Sequence, residues 1–197
     1  MPHLDPIDLA NVSEPDIRER FEHYRKTRGF TPNSIMTMVR RPNIVRAFMA
    51  LNQAVLYEGT VSEETKMLVS LASSFAAGCR YCQSHMANLA SLYKASDAKI
   101  AALWNFDKSD LFNAAERAAI ALALKAGALP NEASAADFDE LKKHYDDGQI
   151  VEIVATISLF GYLNRWNDTM ATALEPLPAQ VAQRTIGKAG WDQGKHG

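Results

Sequence analysis

The stretch Ser62-Glu63-Glu64-Thr65-Lys66-Met67-Leu68-Val69-Ser70-Leu71-Ala72-Ser73-Ser74-Phe75-Ala76-Ala77-Gly78-Cys79-Arg80-Tyr81-Cys82-Gln83-Ser84-His85-Met86 decides the fold. Ser62 followed by two acids suits a helix start, where a side-chain oxygen and negative charge meet the unpaired N–H groups of the first turn. Leu68, Leu71, Ala72 and Phe75 then fall at helical spacing until Gly78 stops the run. Cys79 comes next, and Cys82, Met86, Leu89 and Tyr93 recur at steps of four, three and four residues. Two amphipathic helices therefore meet at one glycine, and Cys82 lies on the apolar face of the second.

The same grammar extends outward. Helices are expected at 14–28, closed by Gly29, at 32–40 and 42–57, where Pro32 and Pro42 can each start a helix, at 113–126, and at 134–145 from Ser134. A long helix is expected at 147–174. Its segment Val151 to Phe160 is apolar enough for a buried strand, but Ile150, Ile153, Val154, Ile157 and Gly161 make a helical stripe that continues beyond strand length. The pattern predicts an all-α, single-domain helical bundle of about eight to ten helices. Residues 1–34 read as an N-terminal helical extension, 35–175 as the core, and 176–197 as a tail with a short helix and a loosely structured end. Glu64 to Ala72 and Glu116 to Leu124 share an apolar beat behind a leading Glu, which hints at a duplicated helical unit.

Composition narrows the function. The chain has 197 residues, 47% of them apolar, and a formal net charge of −2 with Lys and Arg scattered, so it carries no footprint for nucleic acid or a basic membrane-binding face. No apolar stretch approaches the roughly 20 residues of a membrane span, and residues 1–30 lack a signal-peptide core. A cytoplasmic location is expected. In a reducing compartment a close Cys pair reads as redox-active or metal-binding rather than as a structural disulfide.

Both cysteines of the chain fall in Cys79-Arg80-Tyr81-Cys82-Gln83-Ser84-His85. Each three-residue step on a helix turns about 300° and rises about 4.5 Å, so Cys79, Cys82 and His85 share one side. Cys79 and Cys82 can bridge at i, i+3 without large backbone movement, and His85 stands one turn from Cys82, in reach of its proton directly or through one water. Zinc is disfavoured, since a closed site wants four ligands and only a distant residue such as His144 is left to complete it. A thioredoxin-type dithiol is disfavoured by the lack of strand alternation. Neither a metal nor a cofactor is expected. Cys79, at the helix start beside Arg80, is the thiol whose pKa the helix dipole and a cation should lower. Cys82 is still favoured as nucleophile, because only it has a placed base.

The stretch from Lys66 to Leu89 resembles the alkylhydroperoxidase D-like branch of the carboxymuconolactone decarboxylase superfamily, with Cys79-Arg80-Tyr81-Cys82 as the most specific part. Glu116-Arg117-Ala118-Ala119, Gln149 to Ile153, Asn164 to Asp168 and the closing Gly190-Trp191 through His196 look like its longer members. The resemblance implies an all-α fold in homo-oligomers and a thiol peroxidase acting on organic hydroperoxides, with a thiol or protein reductant as partner. It makes Cys82 the peroxidatic thiol, Cys79 the resolving partner and His85 the proton carrier. Two positions depart from the best-known members. Their histidine follows the second cysteine by four residues, not three, and their relay glutamate stands twelve residues before the first cysteine, where this chain has Met67. A relay carboxylate then has to come from Glu64 or Glu116, or be absent; Glu116 is preferred, because it would arrive from a facing helix. Arg165 and Asp168 are expected to pair at a surface or subunit interface, and Tyr81 to pack. Two other functions compete: a lactone decarboxylase, as in the family's other branch, whose chemistry has no call for two thiols, and a redox-responsive interaction protein switched by a Cys79–Cys82 disulfide.

Overall fold

The computed structural model describes residues 1–197 as ten α-helices and four short 3-10 turns, without a strand. The helices are α1 (Pro15–Arg28), α2 (Asn33–Met38), α3 (Pro42–Tyr57), α4 (Glu63–Ala76), α5 (Arg80–Leu92), α6 (Asp97–Ala101), α7 (Ala114–Gly127), α8 (Ala135–Leu141), α9 (Asp147–Met170) and α10 (Pro176–Thr185).

The decisive stretch folds as its caps dictate. Ser62 Oγ accepts from the Thr65 N–H at 3.2 Å and opens α4. Gly78, at a left-handed φ of 76°, closes it: the Gly78 N–H donates to the Phe75 carbonyl and the Cys79 N–H to the Ser74 carbonyl, at 3.0 and 3.1 Å. This pair of bonds is a Schellman motif, which needs a residue free to take positive φ. The chain reverses there within two residues, and Cys79 becomes the N-cap of α5.

α4 and α5 form the centre. Residues 65–74 of α4 and 81–90 of α5 are all buried, the pattern of helices enclosed on every side. α4 packs on α7, α5 and α9, while α5 packs also on α10 and α9. α4 and α7 approach closely, since a Cβ on Gly127 would come 2.8 Å from the Ser73 carbonyl oxygen. Burial even extends to Lys66, 1% exposed, whose Nζ meets Glu152 Oε2 at 2.9 Å. Burial alone would raise the Glu152 carboxyl, but the Thr60 and Val61 N–H groups and Lys66 outweigh it and hold the pKa at about 2.

Three expectations are corrected. The long helix stops at Met170, because Ala171 takes a left-handed conformation, and the helix expected at 134–145 ends at Leu141. The short α6, capped by Ser96 Oγ on the Lys99 N–H, has no counterpart in the sequence reading. The end of the chain is pinned rather than loose: Trp191 Nε1 donates to the Arg80 carbonyl at 3.1 Å, and the Leu174 N–H donates to the His196 carbonyl at 2.9 Å, which buries both aromatic rings. No helix is long and apolar enough to cross a membrane.

Candidate functional site

Both cysteines are free thiols, and both are buried. Cys79 caps α5 through its side chain: Sγ accepts from the Cys82 N–H at 3.3 Å, the role a Ser or Asp oxygen usually fills. Cys82, one turn on, receives a hydrogen bond from Asn167 Nδ2 of α9 at 3.4 Å. Only Cys82 lines a narrow cavity of about 50 Å³, which shares Tyr24, Arg28 and Tyr57 with an outer cleft of about 150 Å³. Its walls are mainly apolar and aromatic, with Tyr24, Phe48, Tyr57 and Phe160 among them. A larger surface cleft between α7 and α9, which Arg165 and Asp168 line, holds neither cysteine.

His85 lines the same cavity on the next turn of α5. Its ring stacks on Tyr81, with centroids 4.2 Å apart, and meets the Phe30 ring edge-on at 5.5 Å. Nε2 contacts Glu175 Oε2 at 2.6 Å, while Nδ1 makes no hydrogen bond within the protein. A carboxylate on one imidazole nitrogen fixes the ring and assigns the proton to that nitrogen, leaving the other to accept. Tyr81 donates its hydroxyl to Glu175 Oε1 at 3.0 Å and accepts from the Ser34 N–H at 3.3 Å. The Asn33 N–H also donates to Oε1. Glu175 is the N-cap residue of α10 and is buried. Burial by itself would raise its carboxyl, but the His85 charge and hydrogen bond and the Asn33 N–H hold it below the usual carboxylate range. Tyr81 is pushed well up, first by burial and then by the negative charge of Glu175.

The sequence-predicted residues separate into two groups. Cys79, Cys82 and His85 come together at the start of α5, although no hydrogen bond joins His85 to either sulfur. Glu116 lies elsewhere. Its Oε2 accepts from the Asn113 N–H in the capping box of α7, and its Oε1 contacts Lys99 Nζ at 2.6 Å. Glu64 meets the same Lys99 Nζ at 2.8 Å. Both candidate relay acids are thus first-turn carboxylates tied to one lysine, and the carboxylate that reaches His85 is Glu175. Burial pushes the Cys82 thiol well up, helped by the hydrogen bond and charge of Cys79 and opposed by Asn167, the opposite direction from the lowering an adjacent imidazole would give. Arg80 is turned toward the chain's end, donating to the Gly190 carbonyl at 3.1 Å. Asp168 pairs with Lys195 at 2.9 Å and not with Arg165. Tyr81 does more than pack.

Glu175 and Asn167 are the residues that sequence reasoning missed. Glu175 had one local signal, since a carboxylate immediately before Pro176 suits an N-cap with proline at the first helical position. Nothing local marks its approach to a histidine 90 residues away.

The fold and this site define a helical protein built around a buried dithiol with a carboxylate-held imidazole beside it. The chain belongs to the carboxymuconolactone decarboxylase family, in its alkylhydroperoxidase D-like branch: the family model matches residues 42–125. The debrominase Bmp8 superposes with a TM-score of 0.83 at 31% identity, over 92% of this chain and 96% of that one, and a cysteine-to-alanine variant of it in complex with 2,3,4-tribromopyrrole matches equally well. An uncharacterized peroxidase-related protein from Ralstonia eutropha JMP134, described as an alkylhydroperoxidase AhpD core, has a TM-score of 0.78 at 26% identity, over 90% of this chain and 94% of that one. A peroxidase-related protein from Silicibacter sp. TM1040 shares the fold, with a TM-score of 0.76 at 19% identity over 89% of this chain and 92% of that one. No match is found among curated protein sequences.

Proposed function

We propose that the protein is a dithiol peroxidase that reduces organic hydroperoxides with Cys82 as nucleophile, Cys79 as resolving thiol and His85 as proton carrier. The observation that carries this reading is that Cys82 alone of the two thiols faces the cavity, while Cys79 is held one turn behind it. As the hydroperoxide binds, the Cys82 proton passes to His85 Nδ1, directly or through water, and the imidazolium is stabilised by Glu175. The sulfur attacks the terminal peroxide oxygen, the O–O bond breaks, and the alkoxide leaves with the proton as an alcohol, giving a Cys82 sulfenic acid. Cys79 then displaces water from that sulfur to form the disulfide. An external dithiol returns two electrons and two protons.

A second reading has its own support. The aromatic walls and the 31% identical debrominase favour reductive dehalogenation, in which a carbon–bromine bond becomes carbon–hydrogen, both thiols are oxidised to the disulfide, and bromide and a proton leave. One assay separates the readings: purified protein with dithiothreitol, offered cumene hydroperoxide or 2,3,4-tribromopyrrole. The peroxidase reading expects alcohol production that Cys82→Ser abolishes. Bromide release without peroxide turnover selects the dehalogenase, and oxidation of both thiols without catalytic turnover selects a redox-responsive interaction protein. Two thiols that survive excess peroxide would overturn the peroxidase.

A further inference from the structure

The Cys82 cavity holds recognition groups that thiol chemistry does not use. Tyr24 and Arg28 of α1 and Tyr57 of α3 line both this cavity and an outer cleft that they share with Arg20, His23 and Tyr93. These three side chains therefore stand between the thiol and solvent. Arg28 Nη2 donates to the Tyr57 hydroxyl at 2.6 Å, and its guanidinium lies 4.3 Å from the centre of the Tyr24 ring. The remaining donors of the fork have no partner in the protein, and no carboxylate lines either the cavity or the outer cleft. Arg28 is the one fixed cation on the cavity wall.

Deeper in, Asn52 of α3 is 7% exposed, lines the cavity, and makes no side-chain hydrogen bond. Neither polar atom of its amide is sealed from solvent, so both are free to hydrogen-bond a guest in the cavity. Asn52 precedes Tyr57 by five residues, about 7.5 Å along the helix axis, so α3 presents a neutral donor and acceptor inward of the guanidinium it helps to hold. A charged fork at the mouth, and an amide and a sulfur on the wall of an otherwise mainly apolar cavity, describe a ligand with one anionic end.

We propose that the substrate class is a small apolar molecule bearing a single carboxylate, which Arg28 binds at the mouth while Asn52 hydrogen-bonds a polar group near the bond that Cys82 attacks. This inference rests on the reading of Cys82 as the reacting thiol, and it is tested first by binding, without turnover. In calorimetry on the reduced protein, 4-tert-butylbenzoate is expected to bind at least about tenfold tighter than its neutral isostere 4-tert-butylbenzamide, a charge-assisted bidentate contact being roughly twice as strong as a neutral one. The preference should shrink with added salt, disappear in Arg28→Gln and be partly retained in Arg28→Lys, with thermal melts showing each variant folded. In turnover, Arg28→Gln should raise KM for 4-carboxycumene hydroperoxide by at least about tenfold more than it raises KM for cumene hydroperoxide. Failure of the benzoate to bind, equal binding of both probes to the wild type, or an equal loss of both in Arg28→Gln would overturn the proposal; salt dependence and Arg28→Lys decide it if Arg28→Gln does not fold. A benzoate preference in a protein that turns over no peroxide would leave the charge recognition standing and remove the peroxidase reading alone.

Discussion

Glu175 and Glu116 are both buried carboxylates at helix N-termini, and each takes a backbone N–H bond and one side-chain nitrogen partner. Their partners differ. Glu116 spends its charge on Lys99, which also holds Glu64, so the first turns of α4 and α7 are tied together through one ammonium. Glu175 spends its charge on an imidazole whose other nitrogen stays uncommitted at a cavity wall that also carries a thiol. A lysine returns nothing that chemistry can use near neutral pH, whereas a histidine can take up and release a proton there. The same local device thus fastens the frame in one place and poises a proton in the other.

The largest effect that would break this contrast lies at the sulfurs. Cys82→Ser should lower peroxide turnover by at least about 10³-fold, while Cys79→Ser should consume one equivalent of peroxide and stall as a sulfenic acid or mixed disulfide on Cys82, read by mass spectrometry. The reverse pattern would move the nucleophile to the helix cap. Next, Glu175→Gln should cost about 10²-fold in turnover, the scale of general acid–base assistance, and Glu116→Gln should stay within about twofold. Comparable losses in the two would show that the carboxylates do not differ in kind.

Stability should invert the order. Glu116→Ala removes a capping box and a partly buried ion pair, so urea unfolding should register a loss of about 1–2 kcal/mol with turnover nearly intact. Glu175 instead shapes the acid limb. Its folded carboxyl lies below the ordinary range, so the stability it lends is complete above an unfolded value of about 4.3 and is lost as pH falls through the lower folded value. Glu175→Gln should flatten that limb, and an unchanged acid profile would count against the pairing with His85.

The smallest effect concerns the resting thiol. Because burial and Cys79 both push Cys82 upward, its alkylation by iodoacetamide should keep rising past the ordinary thiol value of about 8.5. Cys79→Ser should bring the midpoint down, since the hydrogen bond and charge that raise it are removed. A plateau near neutral pH in the wild type would instead show an imidazole-activated thiolate.

Helix-forming periodicity and caps were readable at short range. Ser62, Gly78, Asn113 and Asp146 mark boundaries that the structure keeps, because each acts on neighbours within a few residues. Cys79, Cys82 and His85 were readable as a group for the same reason. Glu175, Asn167 and Arg28 were not, since what brings them to His85, Cys82 and the cavity wall is the packing of α9 and α10 on α5 and the placement of α1 at the cavity, and such distant convergence leaves no periodic trace. Glu116 is preferred in the sequence because it would arrive from a facing helix, but which way a first-turn carboxylate points is settled by its partners, here the Asn113 N–H and Lys99. The true end of α9 was hidden too, as Ala171 is not a residue that announces a left-handed turn.

The segment that defines the family, 42–125, contains both thiols and His85 but neither Glu175 and Asn167 nor the α1 residues Tyr24 and Arg28. The two thiols and the imidazole therefore lie in one continuous piece, together with Asn52 and Tyr57 of the cavity, whereas the grip on the imidazole and the rest of the entrance come from flanking chain. Arg28 can change without loosening the helix that carries it, because α1 is anchored by Ile17, Phe21 and Tyr24 while its remaining positions are largely solvated. A change in what the entrance admits then requires no change at the cysteines, and a likeness confined to that central segment does not report on Arg28 or Tyr24.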